Sequence, residues 1–295
     1  MNLSAIEKVA NAVLYEGYIL YPYRLSATKN QRRFNFGVLV PPAFSERERG
    51  AETSEMRTEC LVSGGSASLD FRVRFLQVEA SPNWQEATER EVRLADSSLA
   101  GLPEEPRREQ FRFPPIEGAV EISAVRLEDD LYRLAVRVLN HTALAGLEPQ
   151  SRDEVLPFSL ASTHTILAVK DGEFISLLDP PERFREAAAG CRNAGAWPAL
   201  VGNAGERDAM LSSPIILYDY PQIAEESPGD LCDGTEIDEI LTLRILTLTD
   251  DEKREMRQAG DHARRILERT EALPQEQLMK LHGVLRGWRA SEEES

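Results

Sequence analysis

The sequence has little of the side-chain chemistry on which metal sites and many active sites depend. Among its 295 residues there are three cysteines and four histidines, and no two cysteines form a C-x-x-C pair. The histidines include neither an H-E-x-x-H motif nor a pair at helical spacing, so no local zinc site is expected. The cysteines Cys60, Cys191 and Cys232 are far apart, which is typical of reduced cytosolic thiols.

Basic charge, long apolar runs and nucleotide-binding loops are also scarce. The chain carries 34 basic and 50 acidic residues, a net charge of −16, which argues against nucleic acid or an anionic membrane as the main partner. No apolar run approaches the roughly 18 residues of a membrane span, so no membrane insertion is predicted. G-x-S-x-G, Walker A and G-x-G-x-x-G motifs are missing, and no cofactor is predicted. The first residues lack a basic segment before an apolar core, so a cytoplasmic location is expected.

The N-terminal and central parts of the chain show two different hydrophobic periodicities. Residues 4–14 have apolar side chains at helical spacing, which predicts an amphipathic helix. Apolar and polar residues alternate over 69–75 and 132–138, which predicts strands with one buried face. The helix is predicted to bury Ile6, Val9, Ala10, Val13 and Leu14.

Turn signals suggest how these strands are connected. Asp171-Gly172 lies between two apolar runs in 165–178, and this dipeptide favours the type I′ turn of a β-hairpin. The glycine-rich Ser63–Ser66 stretch lacks the lysine and the helix of a phosphate-binding loop, so it is also predicted to be a hairpin turn. Residues 214–218, PIILY, are predicted to form a later strand.

These elements predict an α+β fold built around a central antiparallel β-sandwich, immunoglobulin-like or similar. A short N-terminal helix would precede the sandwich, and a helical region would form the C-terminal end. The predicted divisions are 1–56 for the helix and a strand pair, 57–180 for the sandwich, and 181–295 for a mixed segment and C-terminal helices.

Two segments of opposite charge are the strongest candidates for binding a protein partner. Residues 21–34 combine tyrosines with basic side chains, which are favoured anchors of protein interfaces, although a solvated loop between two strands fits them too. Residues 219–239 hold eight acidic residues and no lysine or arginine, and turns followed by a helix start explain them equally. The predicted partner-binding residues are Tyr21, Tyr23, Arg24, Lys29, Arg32, Arg33, Asp230, Asp233 and Glu236.

A second hypothesis is a metal-binding protein or enzyme. Carboxylates of the 225–239 segment are hard oxygen ligands, although their spacing does not fit an EF-hand loop. The fold would have to bring them together with cysteines that are remote in sequence. The candidate ligands are Cys191, Cys232, Asp230 and Asp233.

Two stretches carry a resemblance to a known family. They are residues 9–41, VANAVLYEGYILYPYRLSATKNQRRFNFGVLVP, and residues 212–257, SSPIILYDYPQIAEESPGDLCDGTEIDEILTLRILTLTDDEKREMR. Both resemble a family of uncharacterised bacterial proteins encoded beside [NiFe]-hydrogenase subunits and maturation factors. With residues 174–205 and the C-terminal tail, the similarity covers about half of the chain.

The resemblance implies a role in making or assembling hydrogenase, and it supplies no catalytic residues. The chain lacks the cysteine-rich and nucleotide-binding signatures of proteins that insert nickel and iron. We therefore expect a non-catalytic accessory protein that acts by protein–protein docking, as a scaffold or in a chaperone-like role. A structural subunit of the mature hydrogenase complex is an alternative.

Overall fold

The computed structural model contains two antiparallel β-sheets that share one hydrophobic core. Ten strands and four α-helices lie within the described part of the chain, and short 3₁₀ turns occupy Leu99–Gly101, Leu156–Phe158 and Glu182–Phe184. The described residues are 3–14, 37–80, 85–128, 130–144, 146–147, 151–221, 248–250, 253–254, 257, 264, 267–268 and 270–272.

The elements follow one another along the chain with short connections. The helices are α1 (Leu3–Leu14), α2 (Pro42–Arg47), α3 (Arg152–Val155) and α4 (Arg185–Ala189). The strands are β1 (Glu55–Ser63), β2 (Ser68–Ala80), β3 (Gln85–Ser98), β4 (Arg107–Phe113), β5 (Ile116–Arg126), β6 (Leu131–Asn140), β7 (Ala161–Lys170), β8 (Glu173–Ile175), β9 (Trp197–Leu200) and β10 (Ala209–Ser213).

Each sheet has five strands. Sheet 1 has the order β4-β5-β6-β1-β8, and sheet 2 has the order β3-β2-β7-β10-β9. All of the strand pairings are antiparallel. The long outer strands β3 and β4 are rich in charged residues, which discourages edge-to-edge association.

The core between the sheets confirms the two strands with the clearest alternation. Leu69, Phe71, Val73 and Phe75 of β2 are fully buried in the same cluster as the apolar side chains of β6. Burying one such side chain contributes about 1.5–3 kcal/mol. The β6 residues in this cluster are Tyr132, Leu134, Val136 and Val138.

Helix α1 covers the outer face of sheet 2, and all five residues predicted for its apolar face are buried. The helix packs against Ile166 of β7 and Leu211 of β10. Polar contacts border this interface. Arg72 Nη1 donates to Glu7 Oε1 at 2.9 Å, and Arg74 Nη1 donates to Asn11 Oδ1 at 2.7 Å.

The two predicted hairpins are wrong, because each turn connects different sheets. Asp171 has the predicted positive φ of 59°, but β7 before it belongs to sheet 2 and β8 after it belongs to sheet 1. The Ser63–Ser66 turn likewise passes from β1 in sheet 1 to β2 in sheet 2. Both turns are arches over the same end of the core.

The two arches touch through glycines. Gly64 has a φ of +131°, and a Cβ atom placed on it would lie 2.7 Å from Gly172 Cα and 2.9 Å from the Asp171 carbonyl oxygen. A Cβ atom on Gly172 would lie 2.7 Å from the Ser63 carbonyl oxygen. Gly65, by contrast, has open space around its Cβ position. This close backbone approach requires glycine at two of the three positions.

Strands also lie beyond the predicted sandwich interval of 57–180, because β9 and β10 complete sheet 2. Residues 214–218, which were predicted to be a strand, join neither sheet; the strand is β10, immediately before them. Of the predicted N-terminal strand pair, the described residue Leu39 forms an isolated bridge with Leu160. Most of the predicted C-terminal helical region lies outside the described residues.

Hydroxyl groups buried between the sheets differ in how well they are hydrogen-bonded. Thr58 Oγ1 of sheet 1 and Ser212 Oγ of sheet 2 are 2.6 Å apart. Thr165, the β7 residue opposite Ser212, has a buried hydroxyl with no hydrogen-bond partner among the described residues. A buried hydroxyl without a partner is destabilising because its hydration is lost and not replaced.

Replacement of these threonines by valine should therefore have opposite effects. Thr165→Val is expected to raise the free energy of unfolding by about 1 kcal/mol, because it removes an unpaired polar group at nearly constant volume. Thr58→Val should lower it by about 1–3 kcal/mol, because the Ser212 hydroxyl loses its partner. Urea denaturation of both variants measures the difference, and equal losses of stability in the two would contradict the assignment.

Candidate docking surface

Four large apolar side chains are exposed around β9, the short edge strand of sheet 2. Trp197 lies in β9 and is 43% exposed. Ile216 and Tyr218 follow β10 and are 69% and 83% exposed. Leu178 follows β8 and is 54% exposed. We call these four residues the β9-edge surface.

The segment after β10 is fixed to the sandwich by every second side chain. Ile215 and Leu217 pack against the cluster formed by α1 and the outer face of sheet 2. Ile216 and Tyr218 therefore point away from that cluster, as their exposure shows. The exposed pair is displayed by an anchored backbone, which lowers the entropy cost of binding.

Asp219 joins this segment to β9 and to the turn after β8. One carboxylate oxygen, Oδ1, accepts from Leu200 N at 2.8 Å, and the other, Oδ2, accepts from Ser176 Oγ at 2.5 Å. The Ser176 hydroxyl in turn accepts from Leu178 N at 3.1 Å. These bonds bring Leu178 and Tyr218 to neighbouring positions on the two sides of the Asp219 carboxylate.

Tyr220 completes the anchor. Its N–H donates to the Leu200 carbonyl at 2.7 Å, and its side chain packs against the core between the sheets. Its φ of 58° is strained for a bulky residue and costs of order 1–3 kcal/mol. The packing and hydrogen bonds hold the chain in this sharp turn, directly before residues 222–247, which lie outside the described residues.

The edge of β9 does not offer a ladder for another strand. Backbone groups alternate in direction, so Pro198 and Leu200 are the β9 residues that face the edge. Leu200 uses both its N–H and its carbonyl in bonds to Asp219 and Tyr220. Pro198 has no N–H to donate. A partner is therefore expected to bind here through side chains, without extending sheet 2.

The surroundings of this surface are acidic. Residues 176–182 and 197–221 together contain five acidic residues and one basic residue, Arg207, which gives a net charge of −4. In sequence, Asp219 also opens the acidic stretch 219–239. The acidic residues in the described ranges are Asp179, Glu182, Glu206, Asp208 and Asp219.

Most residues predicted to bind a partner or a metal cannot be placed in this geometry. The basic segment lies within 15–36 and the acidic segment within 222–247, and both ranges are outside the described residues. Those predictions stay predictions. They concern Tyr21, Tyr23, Arg24, Lys29, Arg32, Arg33, Asp230, Cys232, Asp233 and Glu236.

Cys191 is the one predicted metal ligand that the structure places. It is half-buried after α4, and its Sγ lies 3.8 Å from the Ala187 carbonyl oxygen. Burial, together with the nearby Glu59 carboxylate, raises the pKa of the Cys191 thiol to about 11. Burial also raises the pKa of the Cys60 thiol. Both thiols are therefore protonated at neutral pH and are poor nucleophiles in this environment.

Among the described residues, no three histidine, cysteine or acidic side chains converge on a point that would hold a metal ion. Because Cys232, Asp230 and Asp233 are not described, this finding leaves the predicted metal site untested. Elemental analysis of the purified protein tests it directly.

The two described histidines have different environments. His141 is exposed and lies with Nε2 2.6 Å from Arg108 Nη2; burial first, and then the Arg108 charge, lowers its pKa. His164 is fully buried beneath α1, and its Nδ1 lies 2.9 Å from the Ser162 carbonyl oxygen. Burial lowers the pKa of His164 to about 4, and the Arg74 charge adds to the effect. His164 is therefore neutral at pH 7.

Sequence reasoning missed the β9-edge surface. The PIILY pattern favours a strand because apolar alternation looks the same in a strand and in an extended segment that packs one side onto a helix. Which alternate residues remain exposed depends on α1 and on the Asp219 hydrogen bonds, which join parts of the chain remote in sequence.

Comparison with known proteins adds no assignment. No protein-family model matches the chain, and a search of curated proteins finds no match. Within the described residues, no helix is both long enough and apolar enough to cross a membrane. Function is therefore inferred from the exposed surface and from the resemblance of two stretches of the sequence.

Proposed function

We propose that this protein is a cytoplasmic accessory protein of [NiFe]-hydrogenase biogenesis, acting by protein–protein docking as a scaffold or in a chaperone-like role. The observation that carries the docking role is the exposure of Ile216 and Tyr218 on a segment anchored by Asp219. Clustered, exposed apolar side chains are typical of interaction surfaces, and tyrosine and tryptophan are favoured anchors.

The hydrogenase context comes from the sequence resemblance. One of the two stretches that carry it, 212–257, includes the exposed pair Ile216 and Tyr218 and the whole acidic segment. The other, 9–41, includes the basic aromatic residues. We propose that both charged segments also contact partner proteins. The immunoglobulin-like topology and the helical C-terminal region stay predictions.

An affinity pull-down from the native host, grown under hydrogen-oxidising conditions and analysed by mass spectrometry, tests the assignment. Recovery of the hydrogenase large-subunit precursor or of maturation factors is expected. Recovery of only the mature, metal-loaded enzyme would instead identify a structural subunit. If no hydrogenase component is enriched over an untagged control, the biogenesis role is refuted.

Reversal of charge in the basic segment should weaken the complex. Arg32→Glu/Arg33→Glu is expected to reduce recovery of the partner about tenfold or more, because like charges placed across an interface are repulsive. Arg112→Glu/Lys170→Glu makes the same change of charge at two exposed positions of the sandwich and serves as the control. The readout is quantitative mass spectrometry of the co-purified partner. Equal recovery with both double variants would exclude the basic segment as a docking surface.

A further inference from the structure

We propose that the β9-edge surface binds a short cationic, apolar segment of a protein partner. This inference rests on the proposed docking role and names the chemistry of the partner. The surface combines four exposed apolar side chains with acidic surroundings, and a complementary ligand therefore carries apolar anchors flanked by lysine or arginine.

The apolar part of the surface provides the anchor sites. Tyr218 and Ile216 lie on one anchored segment, and Leu178 is held beside it through the Ser176 and Asp219 hydrogen bonds. Because the Asp219 carboxylate already accepts two hydrogen bonds, it is satisfied within the protein. Contacts with Tyr218, Ile216 and Leu178 are therefore expected to be mainly apolar.

The charge of the surroundings decides between a partner protein and a second copy of this chain. Two copies meeting at this surface would bring two regions of net charge −4 together, in molecules that each carry −16. Juxtaposed like charges are strongly unfavourable at an interface. A cationic segment reverses the sign of this term and also gains from long-range attraction.

The geometry also specifies how the partner binds. Pro198 and the Leu200 bonds leave no free N–H on the β9 edge, so strand addition is not available there. The partner segment is expected to lay its side chains over Tyr218, Ile216 and Trp197. Such binding requires both apolar and basic residues, and neither class alone is sufficient.

Three fluorescein-labelled peptides of about 12 residues test the proposal with the full-length protein, read by fluorescence anisotropy. The first contains leucine and lysine, the second serine and lysine at the same charge, and the third leucine and glutamate. The leucine–lysine peptide is expected to bind about tenfold or more tighter than either of the others. If the serine–lysine peptide binds equally well, charge alone explains binding and the proposal is overturned.

A pair of double variants locates the binding site. Ile216→Ser/Tyr218→Ser is expected to weaken binding of the leucine–lysine peptide about tenfold. Leu127→Ser/Leu147→Ser removes two other exposed leucines, 37% and 50% exposed, and should bind as the native protein does. All four positions are exposed, so an unchanged thermal transition verifies the fold. Equal affinity of the two double variants would overturn the proposal.

This test separates the surface from the hydrogenase assignment. Peptide binding that requires Ile216 and Tyr218, combined with a pull-down that contains no hydrogenase component, would refute the biogenesis role and support the surface. A positive pull-down that is unchanged by Ile216→Ser/Tyr218→Ser, together with equal peptide binding by both double variants, would refute the surface and support the role.

Discussion

Gly64→Ala is expected to lower the free energy of unfolding by about 2–4 kcal/mol, whereas Gly65→Ala should leave it unchanged or raise it by up to about 1 kcal/mol. Gly64 needs a φ of +131°, and its added Cβ would meet the backbone of Asp171 and Gly172 at 2.9 and 2.7 Å. Gly65 has neither restriction, so alanine there mainly reduces the entropy of the unfolded chain.

Urea denaturation followed by far-UV circular dichroism measures both glycine variants under the same conditions. Gly172→Ala approaches the same contact from the other arch and should resemble Gly64→Ala, because its Cβ would lie 2.7 Å from the Ser63 carbonyl oxygen. The neighbouring glycine thus provides a matched control. If Gly64→Ala and Gly65→Ala have equal stabilities, the two arches do not pack as described.

Acid should destabilise the fold through His164. The unfolded chain takes up this proton near pH 6.5, but the folded chain does so only near pH 4, because the buried ring is desolvated and lies beside the Arg74 charge. Between these pH values the unfolded state binds more protons, so stability is full above about pH 6.5 and decreases as the pH falls toward 4. The loss from this residue is about 3 kcal/mol.

His164→Asn isolates this contribution because asparagine keeps a donor near the Nδ1 position and does not titrate. The variant is expected to be less stable than the native protein at pH 7 and to lose about 3 kcal/mol less between pH 6.5 and 4. His141→Asn, at an exposed position, should retain the native pH dependence. Stability curves from urea titrations at several pH values show the difference. Parallel curves for native protein and His164→Asn would contradict the neutral, buried state.

The groups that face His164 come from three elements and favour its neutral form. Arg74 of β2 lies opposite it in the sheet and pairs with Glu89 of β3 at 3.0 Å. Helix α1 contributes Asn11 to Arg74 and Glu7 to the neighbouring Arg72. Since the closest charge is positive, protonation of the ring adds repulsion to the cost of burial.

Much of the core could be predicted from sequence because local periodicity decides which side chains are buried. The buried face of α1 and the alternating residues of β2 and β6 follow directly from spacing of apolar residues. Asp171 illustrates the limit. Its positive φ was predictable from the Asp-Gly dipeptide, but the sheet that receives β8 was not, since β1 pairs with it across more than a hundred residues.

The candidate surface shows the same limit more strongly. Tyr218 and Ile216 belong to a pattern that also fits a strand, and Trp197 lies in a stretch with little periodicity. Their exposure arises from the hydrogen bonds of Asp219 and from the packing of Leu217 near α1. Such long-range contacts leave no local signature in the sequence.

Photo-crosslinking from position 218 tests the docking role most directly. Full-length protein carrying benzoylphenylalanine in place of Tyr218 is irradiated in extract of the native host, with the same replacement at Leu127 as the control. We expect a hydrogenase subunit precursor or maturation factor to be crosslinked at position 218, through a peptide containing basic and apolar residues. Crosslinking of the same proteins to the same extent from position 127, or no crosslinked hydrogenase component at all, would contradict the proposed function.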